Sequence, residues 1–177
     1  MKKNASNKNN DRPDVEQPPY ETIHALPKQY FDRMNAGSEF AKQGNFEKAA
    51  EEFNAARKEV GEILRQLLEL KKDPTAQMWQ FFGILWAFKL IKGVFYWLLA
   101  LSEIADTPED QKGLLMAAMG AQQIGADMIP AFENLHQSFK GVDRDLLPML
   151  GEAIRNFEYR QQILKKALEQ QGMDLKF

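Results

Sequence analysis

The residues that come closest to a chemical site are Glu133 and His136, which stand three positions apart. A Glu-x-x-His motif supplies metal ligands in helical di-iron bundles, where two such motifs and two further glutamates are needed. The sequence holds only two histidines, and the other is His24, near the N-terminus. Other acids could add ligands, namely Glu103, Glu152 and Glu158. Half of the ligands that such a site needs are still missing. We therefore predict that Glu133 and His136 form an exposed pair on a helix, and that the protein holds no metal and no cofactor.

Other chemistries have even less support. The chain has no cysteine, which excludes disulfides, thiolate metal sites and cysteine nucleophiles. It also has no glycine-rich phosphate loop and no serine beside a histidine. The net charge is −2 and the pI about 5.8, whereas nucleic-acid-binding domains usually carry a basic patch. The basic N-terminus is not followed by an apolar stretch, so we expect no secretory signal and a cytoplasmic protein.

The organisation of the chain follows from its composition. Residues 1–26 are rich in Asn, Lys, Asp and Pro and hold few large apolar side chains, which predicts a flexible tail. Residues 27–177 show apolar residues at helical spacing, and no segment alternates with period two beside a hairpin signal. We therefore predict an all-α fold, with about five helices in one compact bundle that forms a single domain.

Local signals divide this domain into helices over about 27–43, 46–72, 75–105, 107 onward and 143–171. Pro27 and Pro74 suit first helical turns, and Gly172 suits a C-terminal stop. Thr107, followed by Pro108 and an acid at position 110, is similar to a capping box. Pro130 lies inside the fourth helical pattern, and we expect it to kink or divide that helix near residues 127–129.

The first two predicted helices carry a recognisable spacing of small and aromatic residues: Gly37, Phe40, Gly44, Phe46, Ala49, Phe53 and Ala56. This spacing resembles one tetratricopeptide repeat, over about 34 residues. Microtubule-interacting-and-trafficking domains share similar spacing. The family's early Trp position holds Arg33 and its closing Pro position holds Gly61, and no second copy follows.

The resemblance implies that a protein or peptide binds in the groove of this hairpin. The lining would then come from the aromatic residues and nearby polar ones, namely Phe40, Asn45, Phe46, Phe53, Asn54 and Arg57. A well-packed hairpin without a ligand is the competing interpretation, and the residues alone do not separate the two.

The third predicted helix is the most apolar part of the chain. Residues seven apart form two rows that are typical of a buried seam: Trp79, Trp86, Gly93 and Ala100, then Gly83, Leu90, Trp97 and Ile104. The next helix carries small residues four apart, Gly113, Ala117, Ala121 and Gly125, which predict a flat face against these rings. Both sets are most simply explained as core.

A membrane-spanning helix over 81–101 is the alternative for this segment. Its apolar residues would contribute about −5 kcal/mol, whereas two lysines near the middle would oppose insertion by roughly 5–7 kcal/mol. The sum of these two free energies does not favour insertion of the helix across a membrane. A face that touches a membrane surface or a second protomer stays open, and would comprise Trp79, Trp86, Lys89, Lys92 and Trp97.

The most favoured function is therefore a non-enzymatic protein-interaction module: an adaptor, scaffold or chaperone-like subunit with a protein or peptide partner. A peripheral membrane or lipid-contacting bundle is the first alternative. A metal-dependent bundle enzyme around Glu133 and His136 is the weaker one. Homo-oligomerisation is compatible with each, and nucleic acid is not expected as a partner.

Overall fold

The computed structural model describes residues 19–69, 74–138 and 146–173, with side chains over 28–69, 80–134 and 148–173. Five helices make up these ranges, which contain no strand. They are α1 (Pro19–Lys42), α2 (Phe46–Leu68), α3 (Pro74–Glu103), α4 (Pro108–Ser138) and α5 (Leu146–Gln170). The prediction of an all-α bundle is confirmed.

The turn between α1 and α2 is built from the two residues that break the helical pattern. Gly44 has a φ of 74°, a conformation that glycine adopts without strain. The Asn45 N–H donates to the Phe40 carbonyl at 2.9 Å, which is the pairing that closes a Schellman motif. The Asn45 side chain then accepts from the Lys48 N–H at 3.3 Å and caps α2. One turn therefore both ends α1 and starts α2.

The start of α4 has the predicted cap. The Thr107 hydroxyl oxygen accepts from the Asp110 N–H at 3.1 Å, and the same hydroxyl donates to the Asp110 carboxylate at 2.6 Å. Gly172, with a φ of 66°, follows the end of α5 as predicted. These short-range signals fix helix ends because they satisfy backbone groups that have no partner inside the helix.

The predicted start of α1 is wrong, and so is the alternative that Pro130 divides α4; the kink predicted at Pro130 stays a prediction. Helix α1 begins at Pro19 rather than at Pro27, since both prolines suit a first turn and the earlier one starts the helix. Helix α4 runs undivided through Pro130 to Ser138. Pro130 lies on the exposed side of α4, while Met128 and Phe132 beside it are fully buried and hold the helix in place. The predicted start of α5 at residue 143 lies outside the described residues.

Helix α3 lies at the centre of the bundle. It packs most extensively on α4, then on α2, and it also contacts α5. Its buried side chains occupy most of its circumference: Phe81, Ile84, Leu85, Phe88, Ile91, Val94, Phe95 and Leu98 are among them. The expectation that this helix is mostly buried is confirmed, but Ala100 and Ile104 of the two predicted core rows are exposed, as are Lys89 and Glu103.

The hairpin of α1 and α2 packs a glycine against an aromatic ring. Gly37 is buried beside Phe53, and a Cβ at Gly37 would lie 2.7 Å from the ring. Phe53 is fully buried, and it stacks on Trp97 of α3 with ring centroids 4.9 Å apart. This close approach requires glycine, because Phe53 is held from the other side and has no space to move.

Helix α1 is also tied to α3 by a buried hydrogen bond. The Tyr30 hydroxyl donates to the Leu90 carbonyl at 3.0 Å. Burial raises the pKa of Tyr30 to about 12, because the phenolate would lose its hydration there.

Replacing Gly37 with alanine is expected to lower the free energy of unfolding by about 1–3 kcal/mol, because the new methyl group overlaps Phe53. Gly113→Ala is the matched control, since a Cβ there meets nothing within 4 Å. That control should raise stability by about 0.5–1 kcal/mol through helix propensity. Urea unfolding of both variants measures the difference, and equal effects would contradict the Gly37–Phe53 contact.

The hydrogen bond of Tyr30 predicts a specific alkaline sensitivity. Because the pKa is raised in the folded protein, the contribution of Tyr30 is present below pH 10 and is lost as the pH rises towards 12. The stability difference between the wild type and Tyr30→Phe should therefore shrink by up to about 1.4 kcal/mol per pH unit above pH 10. Tyr159→Phe, at an exposed position, is the control. A pH-independent difference for Tyr30→Phe would contradict the burial of this hydroxyl.

Candidate functional site

The main concave feature is a groove of about 860 Å³ between the first turns of α2 and α4. The α1–α2 turn closes one end, and the α3–α4 connection contributes to the wall. The apolar part of its lining comes from four elements of the chain: Phe46, Ala50, Leu98, Ala105, Leu114 and Ala117. We call this feature the α2/α4 groove.

Small residues create the space for this groove. Ala50 on α2 and Ala117 on α4 both line it, and Gly113 has no side chain at all. The predicted small-residue ridge of α4 is therefore divided in two. Gly113 is exposed and Ala117 half-buried in the groove, whereas Ala121 is buried and Gly125 packs against α5. The prediction that this ridge as a whole is core is wrong for Gly113.

Every charged residue that lines the groove is an acid: Glu47, Glu51, Asp106, Glu109 and Asp110. Asp110 pairs with the Thr107 hydroxyl, and the other four have no ion-pair partner among the described residues. Glu47, Glu109 and Asp110 stand in first helical turns, where they also complement the helix dipoles. Glu51 and Asp106 have no such structural reason. The groove is thus an apolar surface between acidic walls.

The hairpin residues predicted from the sequence lie in three different environments. Asn45, Phe46 and Asn54 line the α2/α4 groove. Phe53 is fully buried in the core, so it does not line the groove. Phe40 is half-buried beneath the Lys48 ammonium group, 5.6 Å from its ring centre.

The remaining predicted residue, Arg57, lies beyond the groove lining and bridges α2 and α4. Its Nε donates to Asn54 Oδ1 at 2.9 Å, and its guanidinium lies against Gly120.

The acidic residues that line the groove were not predicted from the sequence. Their signal was present in the i, i+4 spacing of Glu47 and Glu51 and in the acids that follow Thr107.

The predicted aromatic face on α3 is only partly available to a partner. Trp97 is half-buried against Phe53, Trp86 and Lys92 are half-buried, and Lys89 is exposed. The side chain of Trp79 lies outside the described ones. The stretch Gln80–Glu103 is long and apolar enough to cross a membrane, but 61% of its most apolar window is buried inside the bundle. Burial in a helical core explains this composition as well.

The structure describes only one side chain of the predicted Glu133–His136 pair. Glu133 is exposed, and the His136 side chain is not among those described. Within the described residues, no group of three or more His, Asp or Glu side chains is placed to hold a metal ion.

One buried charge has no carboxylate beside it. Arg160 of α5 is 1% exposed, and its Nε donates to Gln122 Oε1 at 3.1 Å. Its two terminal nitrogens have no hydrogen-bond partner among the described residues, and the guanidinium lies over the rings of Phe88 and Phe95. Burial lowers the pKa of Arg160 to about 10, because the cation loses its hydration. Because Arg160 is almost fully buried, we assign it to the core.

Comparison of the chain with protein families, with curated proteins and with solved structures found no match. The tetratricopeptide-repeat resemblance therefore stays a prediction.

Arg160→Met should raise the free energy of unfolding by about 1–4 kcal/mol, because it removes an unpaired buried cation and keeps most of the side-chain volume. Arg155→Met, at an exposed position of the same helix, is the control and should change stability little. Chemical denaturation monitored by circular dichroism measures both. A loss of stability in Arg160→Met would show that the guanidinium has a partner in solution, against the arrangement described.

Proposed function

We propose that this chain is a non-enzymatic protein-interaction module that holds a segment of a partner protein in the α2/α4 groove. The observation that carries the proposal is the groove: a concave surface that combines apolar residues with polar and acidic residues from both helices. Protein-binding grooves commonly have this arrangement, because apolar contacts supply affinity and the polar margin fixes orientation.

The construction of the groove supports the same function. Its walls belong to two helices that are each anchored on α3, so the surface is preformed and a partner would not have to order it. Preformed surfaces lose less conformational entropy on binding. Asn45 and Asn54 add amide groups at the margin, and both come from the hairpin that resembles a tetratricopeptide repeat.

A peripheral membrane function is the second candidate, supported by the exposed Lys89 beside the half-buried Trp86 on the most apolar helix. Binding of the chain to vesicles that contain anionic lipid, weakened in Lys89→Glu, would favour this alternative. Since most of the apolar surface of α3 is already covered by other helices, the groove is the better-supported site.

The test fills the groove without disturbing the core. Gly113→Trp places a large ring in open space, whereas Met116→Trp puts the same ring on the same helix outside the lining; Met116 is 47% exposed. Each protein is immobilised, its fold is checked by circular dichroism, and proteins retained from a lysate of the source cells are identified by mass spectrometry. We expect a partner that wild type and Met116→Trp retain and Gly113→Trp loses. Equal retention by all three would refute the groove as the binding site.

A further inference from the structure

We propose that the segment held by the α2/α4 groove is a basic amphipathic helix, with apolar side chains on the floor and Lys or Arg side chains along both walls. This inference rests on the proposed function and adds the chemical class of the partner. It follows from the distribution of charge in the groove, which is far more acidic than the chain as a whole.

The whole chain carries a formal charge of −2, yet five carboxylates and no Lys or Arg line this one groove. Elsewhere on the described surface some acids form ion pairs with nearby cations, and others, such as Glu152 and Glu158, do not. Glu62 and Glu69 bind Arg65, Glu39 binds Lys42, and Glu52 binds Arg33. No acid of the groove forms an ion pair with another described residue, and Asp110 only accepts a hydrogen bond from the Thr107 hydroxyl, so their charge is available to a partner.

The carboxylates occur on both sides of the apolar floor. Glu47 and Glu51 are four residues apart on α2, so they lie one above the other on the same face of that helix. Asp106, Glu109 and Asp110 form the opposite side, at the α3–α4 connection and the first turn of α4. A helix lying between them would meet acids on both flanks and apolar side chains beneath it.

A basic amphipathic helix matches this pattern in both respects. Its apolar face, repeating at i, i+3, i+4 and i+7, would cover the floor around Phe46, Ala50 and Ala117. Its flanking cations would neutralise the carboxylates as they lose water. An acidic segment or an anionic membrane would instead be repelled, and an uncharged helix would leave partly desolvated carboxylates without partners.

The experiment uses a defined probe, because the natural partner is unidentified. The probe is a fluorescein-labelled peptide of leucine and lysine with leucines at amphipathic helical spacing, and its twin has glutamate in place of every lysine. Binding to the full chain is measured by fluorescence anisotropy at low and at physiological ionic strength. We expect the leucine–lysine peptide to bind and its twin not to bind. Salt should weaken the interaction, because exposed charges are screened.

Two matched pairs of variants locate the binding. Glu51→Lys/Glu109→Lys changes the groove, and Glu152→Lys/Glu158→Lys changes exposed acids of α5, so both alter the net charge equally. Gly113→Trp and Met116→Trp form the steric pair. We expect the groove double variant and Gly113→Trp each to weaken binding by at least about tenfold, a loss of about 1.4 kcal/mol. The α5 double variant and Met116→Trp should bind nearly as the wild type does.

Several results would overturn the proposal. Equal weakening by the two double variants would mean that net charge, rather than the groove, attracts the peptide. Binding of the glutamate twin, or undiminished binding to Gly113→Trp, would contradict the charge class or the location. A wild type that dimerises in sedimentation, with Gly113→Trp monomeric, would make a second copy of this chain the occupant.

The two proposals fail separately. If a cellular partner is lost by Gly113→Trp but the leucine–lysine peptide does not bind, the interaction function stands and the basic class is refuted. If no protein distinguishes Gly113→Trp from Met116→Trp and the peptide binds all variants equally, both proposals fail.

Discussion

The constraint on which this structure depends is the apolar character of α3 around nearly its whole circumference. A helix of this kind is stable in water only when other helices cover it. Here α2 and α4 cover its two sides and α5 adds a third contact, while Tyr30 reaches it from α1. The positions of α2, α4 and α5 follow from that need, including the close approach of Leu67 on α2 to Gly83 on α3.

The groove is a consequence of the same arrangement. Helices α2 and α4 both pack along α3, but they contact each other much less than either of them contacts α3. Where their facing residues are as small as Ala50, Gly113 and Ala117, the gap between them stays open. The acids at the starts of both helices then form the walls, so residues that stabilise helix ends also give the groove its charge. The charge that would attract the proposed partner therefore comes largely from residues that stabilise helix ends.

Much of the fold could be predicted because its signals are local. Gly44 with Asn45, Thr107 with Asp110, and Gly172 act within a few residues, and each forms the predicted end of a helix. The groove could not be predicted in this way, because periodicity identifies the buried face of a helix but not its neighbour. Phe53 illustrates this limit: its spacing predicted a residue that lines a binding groove, whereas the packing buries it in the core against Trp97.

The position of Arg160 in the sequence carries a signal of its burial. The apolar stripe of α5 contains Phe157 and Leu164, and Arg160 occupies the position between them at helical spacing. A charged residue within such a stripe predicts a buried cation as readily as an exposed one, and the choice depends on long-range contacts with Phe88 and Gln122. These contacts come from α3 and α4, so no local pattern specifies them.

The order of packing has a consequence for how the chain acquires its structure. Each helix contacts the next one along the chain, and the most extensive contacts are between sequence neighbours. Chain segments that meet their neighbours close short loops, which lowers the entropic barrier to folding. Successive hairpins can therefore assemble soon after synthesis, and the apolar surface of α3 would be covered first by α2, which emerges before it. This order limits the time during which the most aggregation-prone segment of the chain is exposed to water.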